Sequence, residues 1–122
     1  MTDRLLLLAA GLTLLLSVAH SLVGERLVFA RLRKDGRWTE AALSLLERRR
    51  WWAIRATWHL VTILGAGLAA LLFSDALGSI GVQMAIGLIF LAATIFWAIA
   101  TRFGHPAWIV MAVISALLLI PT

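Results

Sequence analysis

Four long intervals without a charged residue constrain this chain more than any other feature. Each holds between 19 and 26 residues free of Asp, Glu, Lys and Arg, at 5–24, 56–74, 76–101 and 103–122. A helix needs about 20 mostly apolar residues to cross a membrane, where its backbone must satisfy its own hydrogen bonds. The intervals therefore predict four spanning helices, at about 4–23, 55–74, 80–101 and 106–121.

The composition agrees with a membrane location. The 122 residues are 62% hydrophobic and only 14% charged, against roughly 45–50% and 25% in an average soluble domain. These values disfavour a soluble or a disordered chain, and the length allows one small domain. Because the chain has no cysteine, disulfides, Cys-ligated zinc, iron–sulfur clusters and a Cys nucleophile are excluded.

The first interval has a second interpretation as a signal peptide. Its leucine-rich stretch is followed by Ser17-Val18-Ala19, which is typical of a small-residue cleavage site and would leave His20 at the new N-terminus. Asp3 offsets Arg4, so the positive charge that precedes a signal sequence is weak. We therefore expect residues 1–19 to be retained as part of the first helix.

The basic residues indicate which way the chain crosses the membrane. Ten of the 11 lie in the polar loop 25–54, at Arg55 or at Arg102, all on one side of the predicted helices. The positive-inside rule places that side in the cytoplasm, so both termini and the loop 74–80 are predicted to face outward. The six tryptophans fall toward the same cytoplasmic side: Trp38, Trp51, Trp52, Trp58, Trp97 and Trp108.

The loop 25–54 is predicted to be partly helical. Asp35-Gly36 is a turn signal, and Thr39 can cap a short helix that begins at Glu40 and lies in the membrane plane. Whether this helix ends before the second span or continues into it is left open by the sequence. Ordinary topology explains the basic residues, so nucleic acid is not an expected partner. Anionic lipids are expected to contact six of the cations: Arg31, Arg33, Lys34, Arg48, Arg49 and Arg50.

Polar and small residues inside the spans recur at steps of three and four, which places them on one stripe of each helix. The four stripes are Thr13, Ser17, His20, Ser21, Gly24 and Glu25; Arg55, His59, Thr62 and Ala66; Gln83, Gly87, Phe90, Thr94, Trp97 and Thr101; and His105, Trp108, Ala112 and Ala116. Polar residues in a span usually face the interior of a helix bundle, and small ones let helices approach. We therefore predict an all-α fold, a transmembrane four-helix bundle with a basic, partly helical cytoplasmic loop.

The predicted topology brings the titratable stripe residues to the cytoplasmic end of this bundle. Neutral imidazoles and a carboxylate are ligands for transition metals, so a candidate metal site consists of His20, Glu25, His59 and His105. A haem b with two histidine ligands, for example His20 and His59, is a related hypothesis, with Arg55 and Arg102 as cofactor-binding residues. No E-x-x-H or H-E-x-x-H motif accompanies these residues.

Two other interpretations use the same residues. A proton or polar-substrate path would need polar groups in the outer half, where only Thr13, Thr62, Gln83 and Ser115 are available. In the interpretation that we favour, a hydrogen-bonded polar cap, Glu25 pairs with Arg55 or Arg102 and the histidines bond to carbonyls or Ser21. Pro106 suits the first turn of the fourth helix, with His105 at its entry.

Three short motifs carry a resemblance that covers most of the chain. They are Ala19-His20-Ser21-x-x-Gly24-Glu25, Thr57-Trp58-His59 and His105-Pro106-x-Trp108. With them the chain resembles a group of small, uncharacterised bacterial inner-membrane proteins, which implies four membrane helices and no established activity. We expect a non-enzymatic accessory or scaffold subunit of a larger membrane complex, with a metal- or haem-binding protein as the alternative.

Overall fold

Almost all of the chain is helical in a computed structural model that describes residues 3–120. The predicted all-α class is confirmed, with the addition of one short hairpin. The elements in chain order are α1 (Asp3–Val23), a π-helical segment (Gly24–Phe29), α2 (Ala30–Leu32), β1 (Arg33–Lys34), β2 (Arg37–Trp38), α3 (Glu40–Leu45), α4 (Arg48–Leu77), α5 (Val82–Ala100) and α6 (Ala107–Leu119). The predicted outward location of the two termini concerns residues that lie outside the described range.

Three helices are long and apolar enough to cross a membrane. They cover Arg4–Leu32, Arg48–Leu77 and Val82–Ala100, the first of which joins α1, the π segment and α2. The fourth apolar helix, α6, has 13 residues and is shorter than the roughly 17–25 residues that a span needs.

The second long helix begins well before the predicted position 55. Glu47 has an extended backbone, and the amides of Arg50 and Trp51 donate to its carbonyl, so α4 starts at Arg48. The charge of the arginines ends the apolar interval but does not interrupt backbone hydrogen bonding. At the other end, Gly78 takes the left-handed conformation (φ 61°) that commonly terminates helices.

The segment between α2 and α4, residues 33–47, is ordered and forms a cap on the helix ends. Asp35 and Gly36, both with positive φ, form the predicted turn, which here joins the two strands of a hairpin with Arg33 opposite Trp38. The Thr39 hydroxyl accepts a hydrogen bond from the Ala42 amide at 3.2 Å, so the predicted N-cap of α3 is confirmed. Extended backbone at Leu46 separates α3 from α4, so of the two arrangements left open by the sequence the structure has separate helices.

The long helices pack in chain order and antiparallel, with extensive contacts between α1 and α4, α4 and α5, and α5 and α6. Parts of the predicted stripes lie buried at these contacts, whereas Gln83 of the third stripe and Ala116 of the fourth are exposed. Ser17 of α1 packs against Gly65 of α4, and Ser115 of α6 donates to the Gly87 carbonyl of α5 at 3.0 Å. Closure of the row into a four-helix bundle stays a prediction.

Candidate functional site

The antiparallel order brings four helix ends together. Ser21 and Glu25 near the end of the first long helix contact His59 and Arg55 near the start of α4. Arg49 in the first turn of α4 donates to the Gly104 carbonyl in the connection between α5 and α6. The titratable residues of the stripes therefore gather at one end of the described structure, the end that carries the hairpin and α3.

The Glu25 carboxylate is the centre of this polar cluster. Arg55 donates from Nε to Oε1 and Oε2, at 3.2 and 3.0 Å, and from Nη2 to Oε1 at 2.8 Å. Arg33 supplies a second guanidinium, with its Nη1 3.6 Å from Oε1. The sequence predicted that Glu25 pairs with Arg55 or Arg102, and in the structure the partner is Arg55. Arg33 of the cap is a further partner that was not predicted.

His59 extends the cluster across the interface between the first long helix and α4. Its Nε2 lies 3.1 Å from Oε2 of Glu25, and its Nδ1 bonds with the Ser21 hydroxyl. Both ring nitrogens are thus engaged by side chains of the first long helix. The arrangement fixes the imidazole orientation and joins two helices through one residue.

His20 is held by an aromatic neighbour rather than by the carboxylate. Its ring stacks on the Trp58 indole, with centroids 4.5 Å apart and planes within 8°, and Trp58 Nε1 donates to the His20 carbonyl at 3.1 Å. Gly24 makes this possible, because a side chain there would overlap the indole. His20 Nε2 is buried and has no hydrogen-bond partner in the described residues.

The π-helical segment turns both polar and aromatic groups toward α4. Its wider turn, closed by bonds between residues five apart such as Ala30 N to Glu25 O, places Gly24 and Phe29 on the same buried side. Phe29 forms a small core with Trp38 and Ala42 of the cap. The cap is therefore anchored on the segment that also carries Glu25.

Cation–π contacts connect the cap to the ion pairs. The Arg33 guanidinium lies over the rings of Trp38 and Trp52, at 5.6 and 5.3 Å, and Arg55 lies 5.7 Å from the Trp52 centroid. Such contacts contribute roughly 0.5–2 kcal/mol each, depending on exposure. Trp52 thus supports both arginines that hold Glu25.

His105 belongs to a different local structure. Its Nδ1 accepts hydrogen bonds from Trp97 Nε1 and from the Ala107 amide, both at 3.3 Å, so the ring caps the start of α6. This position matches the predicted location at the helix entry. Arg102, predicted as a cofactor-binding residue, lies on the same connection and is exposed.

The structure brings together part of the predicted ligand set. Glu25 and His59 touch, Arg55 neutralises the carboxylate, His20 lies against Trp58, and His105 joins Trp97. Within residues 3–120, no three His, Asp or Glu residues are grouped as a metal site requires. The metal and haem hypotheses remain predictions to be tested by analysis of the purified protein.

Three contributors to the cluster were missed from the sequence. Arg33 was assigned to lipid contact only, Trp58 to the membrane interface, and Phe29 to the polar loop. The position of Trp58 could have been inferred, because it is adjacent to His59 and both lie on the part of α4 that contacts the first long helix at Gly24. Arg33 and Phe29 carried no such signal.

Two neighbouring cavities open beside the cluster. The smaller, ≈ 160 Å³, is lined by Arg55, His59 and Phe96 among others, and the larger, ≈ 430 Å³, lies between the start of α4 and the α5–α6 connection. Both are bordered by Trp52 and Ala100. The cavities therefore adjoin along the interface between α4 and α5.

Comparisons of the chain with protein-family models, with curated proteins and with solved structures find no match.

Proposed function

We propose that this chain is a multi-pass protein of the bacterial inner membrane that serves as a non-enzymatic accessory or scaffold subunit of a larger membrane complex. The end that carries Glu25, the hairpin and α3 faces the cytoplasm. The three long apolar helices cross the bilayer, and the shorter α6 packs against α5 as the fourth helix of the bundle. The basic residues of the cap contact anionic lipid headgroups at this surface.

The observation that carries the proposal is the mutual engagement of the polar cluster. Glu25 is held by Arg55, Arg33 and His59, and the second ring nitrogen of His59 is held by Ser21. Groups engaged in this way stabilise the contact between helices, whereas a general base or nucleophile needs access to a substrate proton or carbon. The cluster thus supports a role in rigidifying the cap and its helices.

The outer surface of α1 supports a lateral partner. Large apolar side chains recur there at the spacing of a helix seam, and all are more than half exposed: Leu5, Leu8, Leu12, Leu15 and Leu22. A face of this kind packs against lipid or against an apolar helix of another protein. An accessory subunit would present it to its complex.

Co-purification with a matched pair of variants tests the proposal. The tagged chain is cross-linked in membranes and isolated in mild detergent. We expect a larger membrane protein to be recovered with the wild type, and to be lost from Leu8→Ala/Leu15→Ala on α1. It should be retained by Ile109→Ala/Val113→Ala, which truncates exposed residues of α6.

The opposite results would contradict an accessory role. A chain that is recovered alone after cross-linking has no stable partner. A partner recovered equally with both double variants does not bind the α1 face. Circular dichroism of each variant would show that the helices are intact.

A further inference from the structure

The larger cavity has the size and the charge of a ligand site. Its ≈ 430 Å³ volume falls within the range of about 300–1,000 Å³ that is typical of small-molecule sites. Arg48 and Arg49 line it from the first turn of α4, and Arg102 and His105 line it from the α5–α6 connection. No acidic side chain is among its lining residues.

Within residues 3–120, the cavity arginines have no carboxylate partner. The ion pairs found in residues 3–120 all use Glu25, which binds Arg33, Arg55 and His59. Arg49 donates to the neutral carbonyl of Gly104, which leaves its positive charge uncompensated. The cation cluster of this cavity is therefore separate from the Glu25 cluster.

The location of these cations favours a further anion. Arg48, Arg49 and Arg50 occupy the first turn of the 30-residue helix α4, where the one nearby acidic residue is the N-cap, Glu47, which is exposed and makes no side-chain cap hydrogen bond. The N-terminal end of a helix is its positive end and favours negative charge. An anion between α4 and Arg102 would relieve both the repulsion among the arginines and their repulsion by the helix.

The other wall of the cavity is apolar. Trp52, Ala53 and Ala100 line it, and Trp52 and Ala100 also border the smaller cavity, which reaches Phe96. A ligand can thus place a charged group among the arginines and an apolar chain along α4 and α5. Arginine binds phosphate oxygens in pairs through its planar guanidinium.

We propose that the cavity between Arg48, Arg49 and Arg102 is a specific binding site for a phosphate group, and that the phosphate belongs to an anionic amphiphile seated with its chain against Trp52. The site is a defined pocket, distinct from the general lipid contact of exposed basic residues. It does not depend on the accessory role.

The test measures binding to the full-length chain in detergent by native mass spectrometry. The probes are phosphatidylglycerol and, in a second arm, inorganic phosphate. The test variant is Arg48→Gln/Arg102→Gln, which spares the bond from Arg49 to Gly104. The control is Arg4→Gln/Arg26→Gln, which removes the same charge from exposed residues that neither belong to the cap nor line the cavity.

We expect phosphatidylglycerol to bind the test variant at least tenfold more weakly than the wild type, because two charge-assisted contacts are lost, with a change in the control below about twofold. Ala53→Phe fills the apolar wall at constant charge and should also weaken this lipid, which keeps the test decisive if the arginine variant does not fold. Binding that responds to the variants only in the phosphate arm supports the pocket and assigns it to a soluble phosphate.

Three results would overturn the proposal. Equal weakening in the test and control variants would show general electrostatic attraction. Unchanged binding in both would place the ligand elsewhere. Failure of both probes to bind the wild-type chain would show that the cavity takes no phosphate.

Discussion

Arg55 on α4 donates hydrogen bonds to both carboxylate oxygens of Glu25 in the π segment, with nitrogen–oxygen distances from 2.8 to 3.2 Å. The two residues are 30 positions apart, and their pairing fixes the register between the first long helix and α4. Both side chains are only partly exposed, so water competes less for the pair than it does at an open surface.

A double-mutant cycle on this pair should give a coupling free energy of about 1–2 kcal/mol, since a charge-assisted hydrogen bond is worth more than a neutral one. Glu25→Gln and Arg55→Gln are measured singly and together by unfolding in a denaturing detergent titration. Strictly additive effects would show that the contact stabilises nothing. Glu40→Gln with Arg31→Gln, on exposed residues of α3 and α2, is the matched control.

Two glycines of the first long helix should respond oppositely to alanine. At Gly24 an added methyl would overlap the Trp58 indole, whereas at Gly11 it would meet no side chain of residues 3–120 within 4 Å. Gly24→Ala displaces the indole from the His20 carbonyl and should cost about 1–3 kcal/mol of unfolding free energy. Gly11→Ala should be neutral or stabilise the helix by roughly 0.5–1 kcal/mol.

Thermal unfolding in detergent, followed by circular dichroism, separates these outcomes. Trp58→Phe provides a further check, because it keeps an aromatic ring but removes the donor to His20. A Gly24→Ala variant as stable as the wild type would mean that the close contact between Gly24 and Trp58 does not contribute to stability.

The sequence predicted the helices well and their ends poorly, for a physical reason. Absence of charge marks the part of a helix that suits hydrocarbon, and α5 fills its interval from Val82 to Ala100. Helical hydrogen bonding continues past the last apolar residue. Glu25 and Arg48 were both predicted to belong to the polar loop 25–54, but Glu25 lies in the π segment and Arg48 in α4.

Prediction of the cluster succeeded where helical spacing decides the contact. The stripes and the antiparallel topology predicted one shared end for four residues, and in the structure Ser21 contacts His59 and Glu25 contacts Arg55. The π segment has no recognisable sequence signature, and the folding of the cap over it depends on Phe29 and Trp38, whose contact spans a hairpin. Contacts across a turn of this kind do not follow from helical periodicity.

Metal and haem analysis should return substoichiometric values that His59→Ala does not change. Glu25 is already compensated by Arg55 and Arg33, and His59 bonds through both ring nitrogens, so a metal would have to displace several contacts. Elemental analysis and absorption spectroscopy of the detergent-purified chain measure this. Stoichiometric metal or a Soret band, lost in His59→Ala, would instead establish the ligand hypothesis.

Single-cysteine labelling should place the two ends of the structure on opposite sides of the membrane. The chain has no native cysteine, and Ser44 on α3 and Ser79 after α4 are both exposed, so Ser44→Cys and Ser79→Cys are closely matched reporters. Because the arginine-rich end is predicted to be cytoplasmic, a membrane-impermeant maleimide added to spheroplasts should label Ser79→Cys only. Lysis should then expose Ser44→Cys. Labelling of Ser44→Cys alone before lysis would reverse the topology, and equal labelling of both would argue against a spanning arrangement.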